Sequence, residues 1–100
     1  MAKYQITRLA NQDLNEIWVY TFHEWSIEQA DKYYDLLIES FNQIGIDPNC
    51  GKNYEGVEPK LRGLRSGKHI IFYELISENI VEINRVLHQS MDIKRRLKNK

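Results

Sequence analysis

At 100 residues, 42% of them hydrophobic, the chain is sized for one globular domain with one modest core, which sets it apart from multidomain, fibrous and disordered classes. Fourteen basic residues balance fourteen acidic ones, so a general nucleic-acid binder resting on a net positive field is disfavoured. The single cysteine, Cys50, excludes an intramolecular disulfide, and no apolar run exceeds four residues, so neither a spanning helix nor a secretory segment is expected and a cytoplasmic protein is.

Tyr4 and Ile6 alternate with Lys3 and Gln5, which predicts a short first strand. Ala10, Leu14, Ile17, Trp18, Thr21 and Trp25 follow at helical spacing and form the expected core face of a first helix. Phe22 widens that stripe on the Trp18 side, and Tyr20 lies beyond the opposite flank. Most of this aromatic content is expected to pack in the core, with Tyr20 and Phe22 as candidates for partly exposed contacts. Ser26-Ile27-Glu28-Gln29 has the form of a capping box, so the first helix should stop near Trp25 and a second begin at once. The second stripe is Ala30, Tyr33, Tyr34, Leu37, Ile38, Phe41 and Ile44, ended by Gly45 and the Asp47-Pro48 step. Two such helices with almost no linker fold back as an antiparallel hairpin.

Residues 48–59 form a Pro-, Gly-, Asn- and Glu-rich loop, long enough to suggest a function. Leu61–Arg65, a turn at Ser66-Gly67, a strand Lys68–Ile76, a polar turn at Ser77-Glu78-Asn79 and a strand Ile80–His88 read as a three-strand antiparallel meander. Met91–Leu97 is either a short helix or a frayed end. The expected fold is therefore a single α+β domain over residues 1–100: an N-terminal strand, a helical hairpin, and a meander that completes a twisted antiparallel sheet. The hairpin should cover one face of that sheet, leaving the other solvated or used.

The zero net charge conceals a division. Residues 1–59 carry ten acidic and four basic groups, and residues 60–100 carry four acidic and ten basic ones. Two faces of opposite sign are expected, one of them suited to an anionic partner. Strand parity puts Arg85 with Val81, Ile83 and Leu87 on the more apolar face, and His88 with Glu82, Asn84 and Val86 on the other. Arg85 should then find an acid, Asp92 or Asp13, because a buried charge is costly unless paired. His69 and His88, at a strand start and a strand end, suit local hydrogen bonding or chemistry. With His23 they are too dispersed for a metal site, so no metal or other cofactor is expected. Cys50 sits in a loop with nothing to stabilise a thiolate and reads as inert.

Five segments, in order over residues 3–96, resemble the ParE branch of the RelE/ParE toxin superfamily. They are Asp13-Leu14-x-x-Ile17-Trp18-x-Tyr20, Gln29-Ala30-x-x-Tyr33, Asp47-Pro48-x-x-Gly51, Leu64-Arg65-Ser66-Gly67-x-His69-x-x-Phe72-Tyr73, and Arg85-Val86-Leu87-His88-x-x-Met91-Asp92. The resemblance implies the toxin of a type II toxin–antitoxin pair, acting on DNA gyrase by binding and neutralised by a ParD-like antitoxin. RelE-type members instead cut messenger RNA on the ribosome, for which His88, Arg85 and Arg65 would be the working groups. Such members typically carry a tyrosine in the C-terminal segment, whereas the last tyrosine here is Tyr73. A third alternative is a non-toxic module that keeps antitoxin binding alone. Target-binding candidates are Arg62, Arg65, Lys68, His69, Arg85, His88 and the run Lys94, Arg95, Arg96 that opens the basic tail through Lys98 and Lys100. Antitoxin-binding candidates are Trp18, Tyr20, Phe22 and Trp25. No sequence-specific nucleic-acid contact is expected of the toxin alone, since no helix-turn-helix pattern is present.

Overall fold

The computed structural model describes residues 3–98 and contains β1 (Lys3–Ile6), α1 (Arg8–Glu24), α2 (Ile27–Ile46), β2 (Lys52–Asn53), β3 (Arg62–Ser66), β4 (His69–Ser77), β5 (Ile80–His88) and α3 (Ile93–Lys98). Both long helices begin at a side-chain cap. Thr7 Oγ1 accepts from the Ala10 amide at 3.1 Å, and Ser26 Oγ accepts from the Gln29 amide at 3.1 Å, each satisfying an amide that has no partner inside its helix. Thr7 also donates its hydroxyl to the Asn84 carbonyl at 2.9 Å, which pins the entry of α1 to β5. The Ser26 cap follows Trp25 directly, so the hairpin forms where the sequence places it. Gly45 continues α2, which ends one residue later at Ile46.

The sheet order is β1-β5-β4-β3-β2. The sheet is not wholly antiparallel: β1 runs parallel to β5, with Tyr4 beside Val81 and Ile6 beside Ile83. A parallel pair needs a crossover, and the helical hairpin together with the meander supplies it. The 48–59 loop is partly sheet, because Lys52–Asn53 pair with Gly63 and Arg62 as an edge strand. The β3–β4 turn lies one residue later than the sequence suggests, at Gly67-Lys68 between paired Ser66 and His69. Gly67 has φ +60°, the left-handed value a tight hairpin asks of its first central residue.

The hairpin-facing core joins Leu14, Leu37, Phe41 and Ile44 to Ile71, Tyr73, Val81, Ile83 and Val86. Each such side chain contributes roughly 1.5–3 kcal/mol by leaving water. The opposite sheet face is covered around Phe72 and Leu87 rather than wholly free. Leu61, Phe72, Leu87 and Leu97 form a second cluster, with Tyr54, Val57, Ile70 and Ile93 packed against it. The 54–61 segment and α3 therefore serve as a lid on that face, and the basic C-terminal run is anchored through buried Leu97.

The parity expected for β5 fails at one residue. Phe72 pairs with Arg85 but Tyr73 pairs with Ile83, leaving Asn84 as an extra, bulged residue. A bulge resets which face each later side chain takes. Val81, Ile83 and Val86 accordingly share the hairpin-facing core, while Leu87 joins the opposite cluster. Arg85 and Leu87 thus do not share a face with Val81 and Ile83.

Candidate functional site

The C-terminal end of β5, the turn after it and one side of α1 enclose a cleft of about 470 Å³. The turn is held by the Gln89 amide donating to the Lys68 carbonyl at 2.9 Å and the Met91 amide donating to the His88 carbonyl at 3.0 Å. α1 is clamped to the same place by Asp13. Its carboxylate accepts from Arg85 Nε at 2.8 Å, from Arg85 Nη2 at 3.0 Å and from the Val86 amide at 3.0 Å. The pair is nearly buried, at 12% and 10% side-chain exposure. The hydrogen bond to Asp13 raises the Arg85 pKa above its ordinary value, outweighing the opposite pull of burial. Of the two acids expected as partners for Arg85, Asp13 is the one used. Asp92 instead caps α3, accepting from the Arg95 amide at 3.3 Å.

Two histidines meet beside this pair. His69 opens β4 and His88 closes β5; they are register partners, with ring centroids 5.2 Å apart at 86°. Tyr33 on α2 organises the first. Its oxygen accepts from the Lys68 amide at 2.9 Å and its hydroxyl lies 2.6 Å from His69 Nδ1. The hydroxyl has a second acceptor in the Ser66 carbonyl at 3.4 Å, so the direction of the Tyr33–His69 bond follows the imidazole tautomer. Burial, then the neighbouring His88, lowers the His69 pKa to about 4, which keeps the ring neutral at pH 7. Burial raises the Tyr33 pKa, so its proton stays available to donate. His88 Nδ1 accepts from the Ser90 amide at 3.1 Å and lies 2.7 Å from Ser90 Oγ. With the Ser90 amide as donor to Nδ1, the His88 ring N–H is on Nε2.

The cleft brings together Arg85, His69, His88, Arg96 and Tyr20 from among the sequence candidates, with Ile17, Leu87 and Met91 as apolar wall. The others lie elsewhere. Arg62 donates to the Gly51 carbonyl at 2.8 Å beside β2, and Arg65 donates to the Gly67 carbonyl at 3.3 Å. Lys68 stands exposed on the β3–β4 turn, and Lys94 and Arg95 are exposed on α3. Lys100 lies outside the described residues. Tyr33, Ser90, Glu16 and Met91 were not among the sequence candidates. Tyr33 reads there as one more member of the α2 stripe, and only its hydroxyl betrays a second task.

None of the four α1 aromatics is buried. Trp25, placed on the core stripe by periodicity, is 76% exposed, because α1 ends there and nothing packs beyond it. Tyr20 is 66% exposed. Trp18 stacks on Phe22 with centroids 5.5 Å apart and donates its indole N–H to Asp31 at 3.0 Å. Trp18 and Phe22 lie toward α2, where Trp18 meets Asp31, whereas Tyr20 faces the cleft; the exposed Val19, Phe22, Trp25 and Ile27 are apolar side chains of the kind that marks an interface. Among the described residues no three His, Cys, Asp or Glu side chains converge as metal ligands would, and no helix is long and apolar enough to cross a membrane.

The loop that follows α2 is fastened by Tyr73. Its hydroxyl donates to the Pro48 carbonyl at 2.7 Å and accepts from the Gly51 amide at 2.9 Å, and burial pushes its pKa up to about 12. The Asp47-Pro48-x-x-Gly51 and Phe72-Tyr73 segments thus belong to one structural latch.

Comparison with known proteins bears on the whole chain. Residues 4–93 match the family described as "ParE toxin of type II toxin-antitoxin system, parDE". The chain is 37% identical over 97 residues to Toxin ParE1 of Caulobacter vibrioides, covering 97% of this chain and 99% of that protein. It is 32% identical over 96 residues to Toxin ParE1 of Mycobacterium tuberculosis, covering 96% and 98% respectively. In fold it resembles a chain from a solved structure described as "Chromosomal ParDE TA system from P. aeruginosa", with a TM-score of 0.76 at 20% identity over 88% of this chain and 96% of that one.

Proposed function

Because the chain belongs to the ParE toxin family of type II toxin–antitoxin systems, we propose that it acts in the cytoplasm by binding DNA gyrase, and that a ParD-like antitoxin neutralises it. The observation that carries binding over RNA cleavage is the Asp13–Arg85 pair. A nuclease needs a cation free to hold a phosphate whose charge grows in the transition state. Of the two arginines that cleavage would use, Arg85 is engaged by two contacts from one carboxylate and Arg65 does not line the cleft, while Arg96, which does, shares it with the carboxylates of Asp13 and Glu16. The histidine pair favours the alternative of ribosome-dependent cleavage, so the test must include it. Purified protein is assayed for inhibition of gyrase supercoiling and, in parallel, for message cleavage on translating ribosomes. Loss of supercoiling with intact message is the expected result. Cleavage that disappears in His88→Ala overturns the reading, and unaffected growth on expression without antitoxin would mark a non-toxic module.

The antitoxin's seat is the exposed aromatic side of α1. Trp25→Ala touches little of the fold and is expected to leave stability within about 0.5 kcal/mol while weakening antitoxin binding. Unchanged binding in that variant and in Tyr20→Ala would move the interface elsewhere.

A further inference from the structure

We propose that the cleft binds a carboxylate carried on an apolar segment of a polypeptide partner, with His88 Nε2–H and the Arg96 guanidinium as donors, His69 beside them, and Ile17, Leu87 and Met91 as the wall. The inference rests on the reading of the chain as a binder and names the chemistry its partner brings.

His88 Nδ1 accepts from the Ser90 amide and lies 2.7 Å from the Ser90 hydroxyl. The His88 Nε2–H is consequently left as a donor, and among the described residues it has no acceptor. An imidazole N–H and a guanidinium lining one cleft suit the two oxygens of one carboxylate. Arg96 lines the same cleft from α3 and has no side-chain partner among the described residues, so a cation is available there although Arg85 is engaged. The volume of about 470 Å³ falls within the usual range for ligand sites of roughly 300–1,000 Å³.

The walls decide which anion. Met91 is 38% exposed and stands beside Ile17 and Leu87, offering contact to an apolar side chain. Glu16 and Asp13 line the same cleft and disfavour a polyanion. A phosphate backbone would bring repeated charge against them, whereas a single carboxylate flanked by apolar residues brings one. An acidic–apolar peptide segment therefore fits better than RNA.

The test uses N-acetyl-leucine as probe, its neutral analogue N-acetyl-leucinamide, and uridine monophosphate, followed through the imidazole resonances of the intact protein. N-acetyl-leucine is expected to shift both rings saturably, with the amide roughly ten-fold weaker or more and the nucleotide no tighter than the amide. His88→Gln, which returns an N–H near the Nε2 position, should retain binding that His88→Leu loses. Equal binding of acid and amide, tighter binding of the nucleotide, or no saturation by the acid overturns the site. If His88→Leu does not fold, the comparison of probes on the unaltered protein still decides. Gyrase inhibition is measured separately. Inhibition without carboxylate binding removes this site and leaves the toxin reading, and carboxylate binding without inhibition does the reverse.

Discussion

Asp13→Ala is expected to be the most damaging single side-chain truncation near the cleft. The carboxylate accepts three hydrogen bonds, two from Arg85 and one from the Val86 amide, and is 8% exposed. Its removal leaves a guanidinium without its counter-ion and an amide without an acceptor. Breaking a buried pair from one side costs about 3–5 kcal/mol. Arg85 borders an open cleft and keeps 12% side-chain exposure, so water can partly replace the carboxylate and the lower end, about 3 kcal/mol, applies. For a domain of this size that corresponds to a melting temperature lower by roughly 12–24 °C. Urea and thermal unfolding would measure it. A paired replacement, Asp13→Leu with Arg85→Met, should cost less than Asp13→Ala alone, because no charge is then left behind. A loss below about 1 kcal/mol in Asp13→Ala, or a double variant as unstable as the summed singles, would show that the pair does not hold α1 to β5 as argued.

Gly67→Ala combines a left-handed backbone with a Cβ placed 2.6 Å from the Tyr33 hydroxyl; destabilisation by about 1–3 kcal/mol is expected, with the His69 ring resonances displaced, and a neutral outcome would deny the hairpin its need for glycine. Tyr73→Phe removes the latch to Pro48 and Gly51 and should cost about 1–3 kcal/mol, with faster hydrogen exchange at the Gly51 amide; unchanged exchange would refute the latch. His69 titrates near pH 4 when folded and near 6.5 when unfolded, so the unfolded chain takes up the proton first. The stability linked to this ring is complete above about pH 6.5 and is lost as pH falls toward 4, by about 1–2 kcal/mol once partial exposure is allowed for. His69→Gln should flatten that part of the stability–pH curve, and an identical slope in the variant would assign it to other groups.

What was legible in the sequence was local. The Ser26 cap, the helical phase of the two stripes and the order of strands depend on residues within a turn or two of each other, and they appear as read, although Trp25 and Tyr34 of those stripes are exposed rather than in the core. What was not legible depends on a partner strand or on the end of an element. The Asn84 bulge is one extra residue between Ile83 and Arg85, visible only against β4, and it reverses every parity assignment after it. Trp25 kept the helical phase but lost its packing because α1 stops before it. Leu97 looked like part of a basic tail, and its burial under the sheet's far face needed the position of β5. For the same reason truncation of residues 94–100 is a poor probe of that basic surface. It would remove a core residue, whereas Lys94→Glu and Arg95→Glu alter exposed charge alone.

The cleft and the exposed aromatics share one helix, and this bears on how a partner could silence the molecule. Asp13, Glu16, Ile17 and Tyr20 wall the cleft from α1, while Val19, Phe22 and Trp25 stand exposed along and beyond the same helix. Tyr20 stands on the cleft side of the helix, across from Trp18 and Phe22. On the proposed reading, an antitoxin seated on the aromatic side must extend across the helix to Tyr20 to occlude the cleft. Because Asp13 clamps α1 to β5 through a buried ion pair, α1 moves little and occlusion is steric rather than conformational. Neutralisation should then be competitive: a carboxylate probe in the cleft and the antitoxin should weaken each other's binding by the same factor, as linkage requires. Independent binding of the two would separate the surfaces and confine the antitoxin to the far end of α1.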